Sequence, residues 1–483
     1  MSLDARLDAI EKLTAAGLGS LIVHPGDALY DERIASYWSK SQHVRPWFIV
    51  RPKTSDEVSR LLTALISCPD CKFAVRSGGH TVWTGGSNIA DGVTVDLGAM
   101  NEIVYNQDTK IASIQPGARW IQVYEELDKH GVVVAGGRDG NVGVGGYLTG
   151  GGISWFLPRF GFSCNQVVNF EVVLADGGIV QANREENPDL YQVLKGASGN
   201  FGIVTRVDLL TFVEPLIWGG TRLTNKSTTA IHIKALIDFT ANLQRQPENH
   251  CGVGWSYQPD FNDIVCLQFM SNTKGVERPA AFEQWLRLPA MVDTTERVTV
   301  AVRAKHAEEP DGYYTTWLTS LIKNNEATVA EIVVKHNEMV EKLKSKFPSS
   351  SDFWTLALFQ PMPGFIGKLG RELGGNIMGL DRIEDDALLV LTGVHVKEAS
   401  MFEIGDALCK ELHYQIDSLT RKNGTNLDWV YVNYADASQD PFRYAGQENV
   451  AKIKAAAQKY DPSGVFQTRC LGGFKISQSK ASG

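Results

Sequence analysis

Apolar positions recur along this chain in two rhythms, and the changes between them mark out its elements. Val58, Leu61, Leu62 and Leu65 follow the three-to-four-residue spacing of one helical face. Thr54-Ser55-Asp56-Glu57 stands in front of them as a capping box, and Phe48-Ile49-Val50 reads as a short strand, so a βα unit begins there. The opening residues 1–13 carry a charge every few positions and predict an amphipathic helix. Residues 72–76, 93–97 and 111–115 predict strands, a helix follows from about 119 to 129, and Val132-Val133-Val134 returns to extended chain. Residues 167–174 and 179–181 flank Ala175-Asp176-Gly177-Gly178, which predicts a hairpin. Asn187-Pro188 opens a short helix ending at Gly196, and Gly199 leads into a strand that ends near Phe212.

Beyond this point the style changes. Longer helical patterns at 228–243, 329–347 and 400–420 alternate with strands at 265–270, 354–359 and 388–395, predicting a second, α/β domain. Seventeen of the 46 glycines fall between Gly78 and Gly152. Glycine costs chain entropy wherever it is ordered, so such density implies that something needs bare backbone: positive φ angles, or amides approached closely by an anionic ligand. Glycine density and strand style divide the chain into residues 1–213, 214–425 and 426–483.

Composition narrows the function. At 483 residues with 43% hydrophobic and 21% charged positions, the chain can bury a large core and should form more than one domain. A net charge of -8 with interspersed signs offers no positive field for a polyanion, which excludes nucleic acid as a partner. No apolar run is long enough to cross a bilayer, and the start lacks a secretory apolar core. The expectation is a cytoplasmic monomer or homodimer, or a secreted form if a leader has been removed; Asn-x-Ser/Thr triplets at Asn225 and Asn423 do not decide it. Seven cysteines, an odd number and mostly scattered, argue against a disulfide framework. Cys68-Pro69-Asp70-Cys71 lacks a second pair for a zinc site and reads as a surface-loop thiol pair or local disulfide; no metal is expected.

Neither glycine-rich loop is a nicotinamide or P-loop fingerprint. The chain has instead Arg76-Ser77-Gly78-Gly79-His80-Thr81, Val142-Gly143-Val144-Gly145-Gly146 followed by the triplet Gly150-Gly151-Gly152, and Gly199-Asn200-Phe201-Gly202-Ile203-Val204. Near the end come Tyr431-Val432-Asn433-Tyr434-Ala435-Asp436 and Tyr460-Asp461-Pro462-Ser463-Gly464-Val465-Phe466. In this order, from about Pro46 to Phe466, these motifs resemble the FAD-linked oxidases of the berberine-bridge-enzyme type, whose PCMH flavin domain is shared with the vanillyl-alcohol oxidases. The resemblance implies an α+β fold: a two-subdomain FAD-binding domain, a substrate domain on a central antiparallel sheet, and a C-terminal segment that returns to the flavin.

The resemblance also implies roles. The loop Arg76, Ser77, Gly78, Gly79, His80 and Thr81 would hold the FAD pyrophosphate on backbone amides, with His80 bonded covalently to the 8α-methyl of the ring. Asp139, Val142, Gly143, Gly145, Gly146, Gly150, Gly202, Ile203, Val204 and Asn433 would complete the cofactor site. Many members carry a second link from a cysteine where this chain has Asp139. Each covalent bond makes the flavin a stronger oxidant, so a single link implies a more closed site and a less demanding substrate. Val142 matches the dioxygen gate, and valine there resembles members that react with dioxygen.

A catalytic base is implied on the tyrosine-rich segment. Strand alternation would put Tyr431 and Asn433 on one face and Tyr434 on the other, and Tyr434 is the favoured base. A phenol with an ordinary pKa of about 10 needs a cation or hydrogen bond to work near neutrality, and no helper is visible in the sequence. Gln268, Trp354, Gln360 and His395, on or beside predicted strands, could line the substrate pocket. The expected activity is an oxidase taking a hydride from a small alcohol, sugar, alkaloid or polyketide-type metabolite, with dioxygen as acceptor and hydrogen peroxide released. An oxidative or redox-neutral cyclase of natural-product biosynthesis is the alternative, and a protein that merely retains FAD a third.

Overall fold

The computed structural model describes residues 2–214 and 216–479. Three sheets organise them. The first has four strands in the order Ile22–Val23, Phe48–Val50, Val93–Asp96, Phe73–Arg76; the outer pair is antiparallel and the other two pairings are parallel. Helix Ser55–Ile66 connects Phe48–Val50 to Phe73–Arg76 and buries Val58, Leu61, Leu62 and Leu65 against it. At its start the Thr54 hydroxyl accepts from the Glu57 N–H, while the Glu57 carboxylate accepts from Lys53 N–H, one residue earlier than a strict capping box. The first helix spans Ser2–Ala15.

The second sheet has five antiparallel strands in the order Ile103–Asn106, Ile111–Ile114, Ile203–Leu210, Val167–Val173, Ile179–Asn183. Val132-Val133-Val134 contributes only an isolated bridge from Val133 to Phe212, so the strand expected there is not formed. The third sheet, of eight antiparallel strands, runs Val292–Asp293, Ile217–Asn225, Asp263–Asn272, Asn249–Gln258, Phe353–Pro361, Ala387–Val396, Tyr314–Lys323, with Glu296–Val298 also pairing Ile217–Asn225. Helices Thr229–Asn242, Glu326–Lys346 and Ala399–Lys422 cover one face of it and share its apolar core. The other face looks toward the two smaller sheets. There, Gly252 leaves room for the Phe269 ring, which a Cβ would meet at 2.1 Å, and Gly393 does the same for Trp317 at 2.9 Å. Glycine thus lets two large rings lie against the sheet.

Two expectations are corrected. Val432–Tyr434 is a 3-10 turn, not a strand; at three residues per turn, positions i and i+3 share a side, and the Tyr431 and Tyr434 rings meet edge-on at 5.0 Å. Cys68 and Cys71 are buried free thiols instead of a surface pair, and burial with the neighbouring Cys68 sulfur pushes Cys71 up to about 12. They are enclosed because Arg469 from the C-terminal segment donates to the Leu65, Ile66 and Cys71 carbonyls, closing the turn. No helix among the described residues is long and apolar enough to cross a membrane.

Candidate functional site

Between the two smaller sheets and the open face of the large one lies a cavity of about 850 Å³. Its first wall is backbone. Strand Phe73–Arg76 ends in the loop Ser77, Gly78, Gly79, His80, Thr81, all of which line the cavity, and Val142, Gly143, Gly145 and Gly146 line it beside them. The two loops touch main chain to main chain: a Cβ on Gly78 would sit 2.4 Å from Gly143 N, and one on Gly143 would sit 2.3 Å from Gly78 N. The Ser77 hydroxyl accepts from Gly145 N–H at 3.2 Å. Arg119 ties the loops together by donating to Gly78 O at 3.1 Å and to Asn141 O. Above Gly146 and Gly199 there is open space where a side chain would project into the cavity. Gly202, Ile203 and Val204 continue the wall, as do Gly472, Gly473 and Phe474 from the C-terminal segment.

Arg76 and Gly150 do not line this wall. The Arg76 guanidinium, 1% exposed, donates to Ser36 O and Ser36 Oγ at 3.0 and 2.8 Å and lies 3.7 Å over the Tyr37 ring. It braces the loop from behind. Gly150 makes room for Asn433, whose Oδ1 a Cβ would meet at 2.0 Å, and the Asn433 amide then donates to Tyr147 O and Tyr431 Oη.

His80 stacks on Trp38 with centroids 5.2 Å apart, and its Nε2 is enclosed without a hydrogen-bond partner. Burial, helped by the Arg119 charge, holds the imidazole neutral with its pKa down to about 3. Asp139 also faces the cavity. Burial raises it to about 6, although its carboxylate accepts from the backbone N–H groups of Glu309 and Asn141.

The opposite wall is apolar and aromatic: Leu267, Phe269, Trp317, Trp354, Leu356, Leu358 and Leu391, with Tyr434 packed among them. Tyr434 Oη accepts from the Arg138 guanidinium at 2.8 Å and lies 3.5 Å from the Gln360 amide nitrogen. Arg138 also lies 5.1 Å over Phe269 and 3.4 Å from His250 Nε2. Tyr431, 1% exposed, is engaged differently: its Oη accepts from Gly152 N–H and from Asn433, and burial drives its pKa well above the ordinary phenol value.

Of the four expected pocket residues, Trp354 alone lines the cavity. Gln360 sits just behind it, 1% exposed, reaching Tyr434. His395, stacked on Trp354 at 3.4 Å and accepting from Trp317 Nε1 at 3.2 Å, backs the wall without reaching its surface. Gln268 is on the wrong face: Leu267 and Phe269 look into the cavity, so strand alternation turns Gln268 to the helices, where it meets His232 at 3.2 Å. Arg138, Arg119, Phe269 and Trp317 were missed. Arg138 directly precedes Asp139 in the glycine-rich loop, and that position was the available signal.

The pieces fit FAD: a bare-backbone cradle, an enclosed imidazole, and one cavity that joins them to the tyrosine held by Arg138. Residues 46–183 match the FAD binding domain family. An FAD-dependent monooxygenase, drtC of Aspergillus calidoustus, is 36% identical over 99% of this chain and 91% of its own. Another, sdcF of Emericella nidulans, is 36% identical over 96% of this chain and 97% of its own. Among solved structures, 6-hydroxy-D-nicotine oxidase from Arthrobacter nicotinovorans superimposes with TM-score 0.77 at 21% identity, covering 92% of this chain and 96% of that one. Glucooligosaccharide oxidase from Acremonium strictum gives 0.76 at 18%, covering 97% and 98%. The berberine-bridge-enzyme-like protein 1 of Physcomitrella patens gives 0.75 at 17%, covering 96% and 100%. Backbone cradle, fold and relatives agree: the chain has the fold of the berberine-bridge-enzyme-like proteins and belongs to the family of these fungal FAD-dependent monooxygenases, FAD-linked oxidoreductases.

Proposed function

We propose that this enzyme oxidises a small organic metabolite by removing a proton at Tyr434 and a hydride at the adjacent carbon, with FAD attached through His80 and dioxygen as the final acceptor. The observation that carries the reading is the Arg138–Tyr434 contact at 2.8 Å inside the cavity that also holds the His80 imidazole. FAD, when bound, supplies the two-electron acceptor and passes the electrons to dioxygen, so substrate and dioxygen become oxidised product and hydrogen peroxide.

The protein's own share is positioning and proton handling. Tyr434 Oη takes the proton from a substrate hydroxyl, phenol or amine. To take it, that oxygen must be anionic beforehand; the Arg138 guanidinium donating to it offsets the negative charge it carries before the proton arrives, and the Gln360 amide lies close enough to steady it. Tyr431 is the weaker candidate for base, because burial drives its pKa well above the ordinary phenol value and its two donors are neutral amides with no cation among them. The wall of Leu267, Phe269, Trp317, Leu356 and Leu358 excludes water from the reacting groups. His80, neutral and lining the cavity, would hold the flavin through its 8α-methyl: the methyl C–H and the imidazole N–H would be lost as a C–N bond forms, and the two electrons would go to the flavin ring and on to dioxygen. The Acremonium oxidase carries a 6-S-cysteinyl, 8α-N1-histidyl FAD, which supports the histidyl link; the cysteinyl link has no counterpart at Asp139. Val142 lines the cavity, which is consistent with the dioxygen gate this reading assigns to it.

The relatives' name, monooxygenase, favours a second reading in which one atom of dioxygen enters the product. Three measurements divide the readings. Anaerobic substrate should bleach the flavin, peroxide should form one for one with product, and product made under 18O-labelled dioxygen should carry no label. Label in the product would replace the oxidase reading with oxygen transfer, and product without peroxide or label would indicate a cyclase. His80→Ala should release its flavin into acid supernatant; a yellow denatured pellet would refute the covalent link.

A further inference from the structure

Arg303 lies on helix Val300–His306, is 3% exposed, and lines the cavity. Its guanidinium makes no hydrogen bond or ion pair with any described residue, and its Nε is fully enclosed. Glu296, the carboxylate that acts on it electrostatically, is already engaged by His306 Nδ1 at 2.7 Å. Burying a cation without a partner costs several kcal/mol, so this placement calls for an anion that the chain itself does not supply.

A second cation faces the same corner. Arg138 reaches His250 Nε2 at 3.4 Å, and His250, 4% exposed, has an Nδ1 with no partner. Burial and the charges of both Arg138 and Arg303 hold His250 well below its ordinary value, so a neutral imidazole stands near two guanidiniums. The acidic groups on this side are Asp139, Glu308 and Glu309. Asp139 is held by backbone N–H groups, Glu308 binds Lys305 at 2.9 Å, and Glu309 bears on Arg138. None pairs with Arg303. Beyond the corner the wall turns apolar, beginning with Phe269, which stacks on His250 at 5.9 Å and lies beneath Arg138.

We propose that Arg303, with Arg138 beside it, binds an acidic group of the substrate, a carboxylate or equivalent planar oxyanion, while the flat apolar body of that substrate lies on Phe269, Leu267, Leu358 and Trp317 under Tyr434. This rests on the reading of the cavity as the site of an FAD-dependent oxidation. Guanidinium presents paired donors that match a carboxylate edge to edge, and an acid docked on Arg303 brings the adjoining part of the molecule to Arg138 and Tyr434, which touch each other.

The test titrates the holoenzyme with 2-naphthoate and with 2-naphthamide, an uncharged match of similar shape, by calorimetry and by perturbation of the flavin absorbance. The acid is expected to bind at least about tenfold more tightly, Arg303→Gln to remove the preference, and Arg303→Lys to keep part of it. Because the guanidinium has no protein partner, R303Q should melt no lower than the native protein. Equal affinity for acid and amide, or binding of neither, overturns the proposal. So does an R303Q variant that loses FAD, which would assign the anion to the cofactor, or one that melts several degrees lower with its preference intact, which would make Arg303 a structural residue. Calorimetry reads the acid whether or not the flavin turns over. An acid-selective cavity whose flavin no substrate reduces would sink the oxidase reading and leave this one standing; bleaching by uncharged substrates with no acid preference would do the reverse.

Discussion

Tyr434 takes its hydrogen bond from Arg138, which also lies against Phe269 and His250, so its guanidinium has little freedom to turn away. Positioned proton transfer contributes about 10²–10⁴ in rate, and Tyr434→Phe should slow anaerobic flavin reduction by roughly that factor without loss of FAD. Arg138→Gln should cost about 10–100-fold, with Arg138→Lys intermediate, because a charge-assisted contact is replaced by a neutral one. Rates in R138Q equal to native would remove the guanidinium from the mechanism. Asp139 permits a prediction on stability. Its folded pKa, about 6, is raised above the ordinary 3.8 by burial, so the native state holds this proton more tightly than the unfolded chain. The resulting stabilisation is complete below the unfolded value and disappears as pH rises through about 6. Melting temperature should therefore fall across that window, and Asp139→Asn should flatten the fall. None of these partners was legible beforehand: Arg138 and Tyr434 are 296 residues apart, and no local pattern encodes a contact across that distance.

Among elements, those with a strong rhythm were legible and those set by contact were not. The helix at Ser55–Ile66 follows a periodicity that burial on one face enforces, while the strands Phe353–Pro361 and Ala387–Val396, buried on both faces, stand out as short, largely apolar runs. The segment at Val432–Tyr434 does not, since a three-residue turn leaves no period to read. Gln268 shows the same limit inside a readable strand, where the alternation was clear but which face met the cavity was not. The glycine loops yield the prediction at this scale. A methyl at Gly78 would stand 2.4 Å from the Gly143 backbone, and backbone cannot yield as a side-chain tip can. Gly78→Ala should destabilise by roughly 1–3 kcal/mol through overpacking and leave the purified protein short of FAD; a variant with native flavin content and melting temperature would mean that the loops need no such approach.

At the scale of the molecule, the cavity exists because three pieces distant in sequence close on it: the glycine loops, the open face of the large sheet, and the chain after Thr425. Arg469 fastens the last piece, donating to the carbonyls of Leu65 and Cys71 at 2.8 Å each, and Cys470 to Phe474 then continue into the cavity wall. Arg469→Ala should cost about 2–3 kcal/mol, since it takes a charged donor from the Ile66 and Cys71 carbonyls while Leu65 O keeps its bond from Cys68 N–H, and should release FAD at a lower temperature than native; unchanged FAD retention on heating would show that the segment docks without it. What the sequence determined alone was local and repetitive: helix and strand periods, the glycine concentration that only a close backbone approach justifies, and five motifs whose order points to FAD. What the tertiary structure decided was every relation between distant residues: the cation at Tyr434, the turn that sets Tyr431 and Tyr434 on one side, the withdrawal of Gln268 and Arg76 from the cavity, and the unpartnered Arg303. Periodicity and propensity act within a few residues, whereas charge compensation and packing are settled only when separate segments meet.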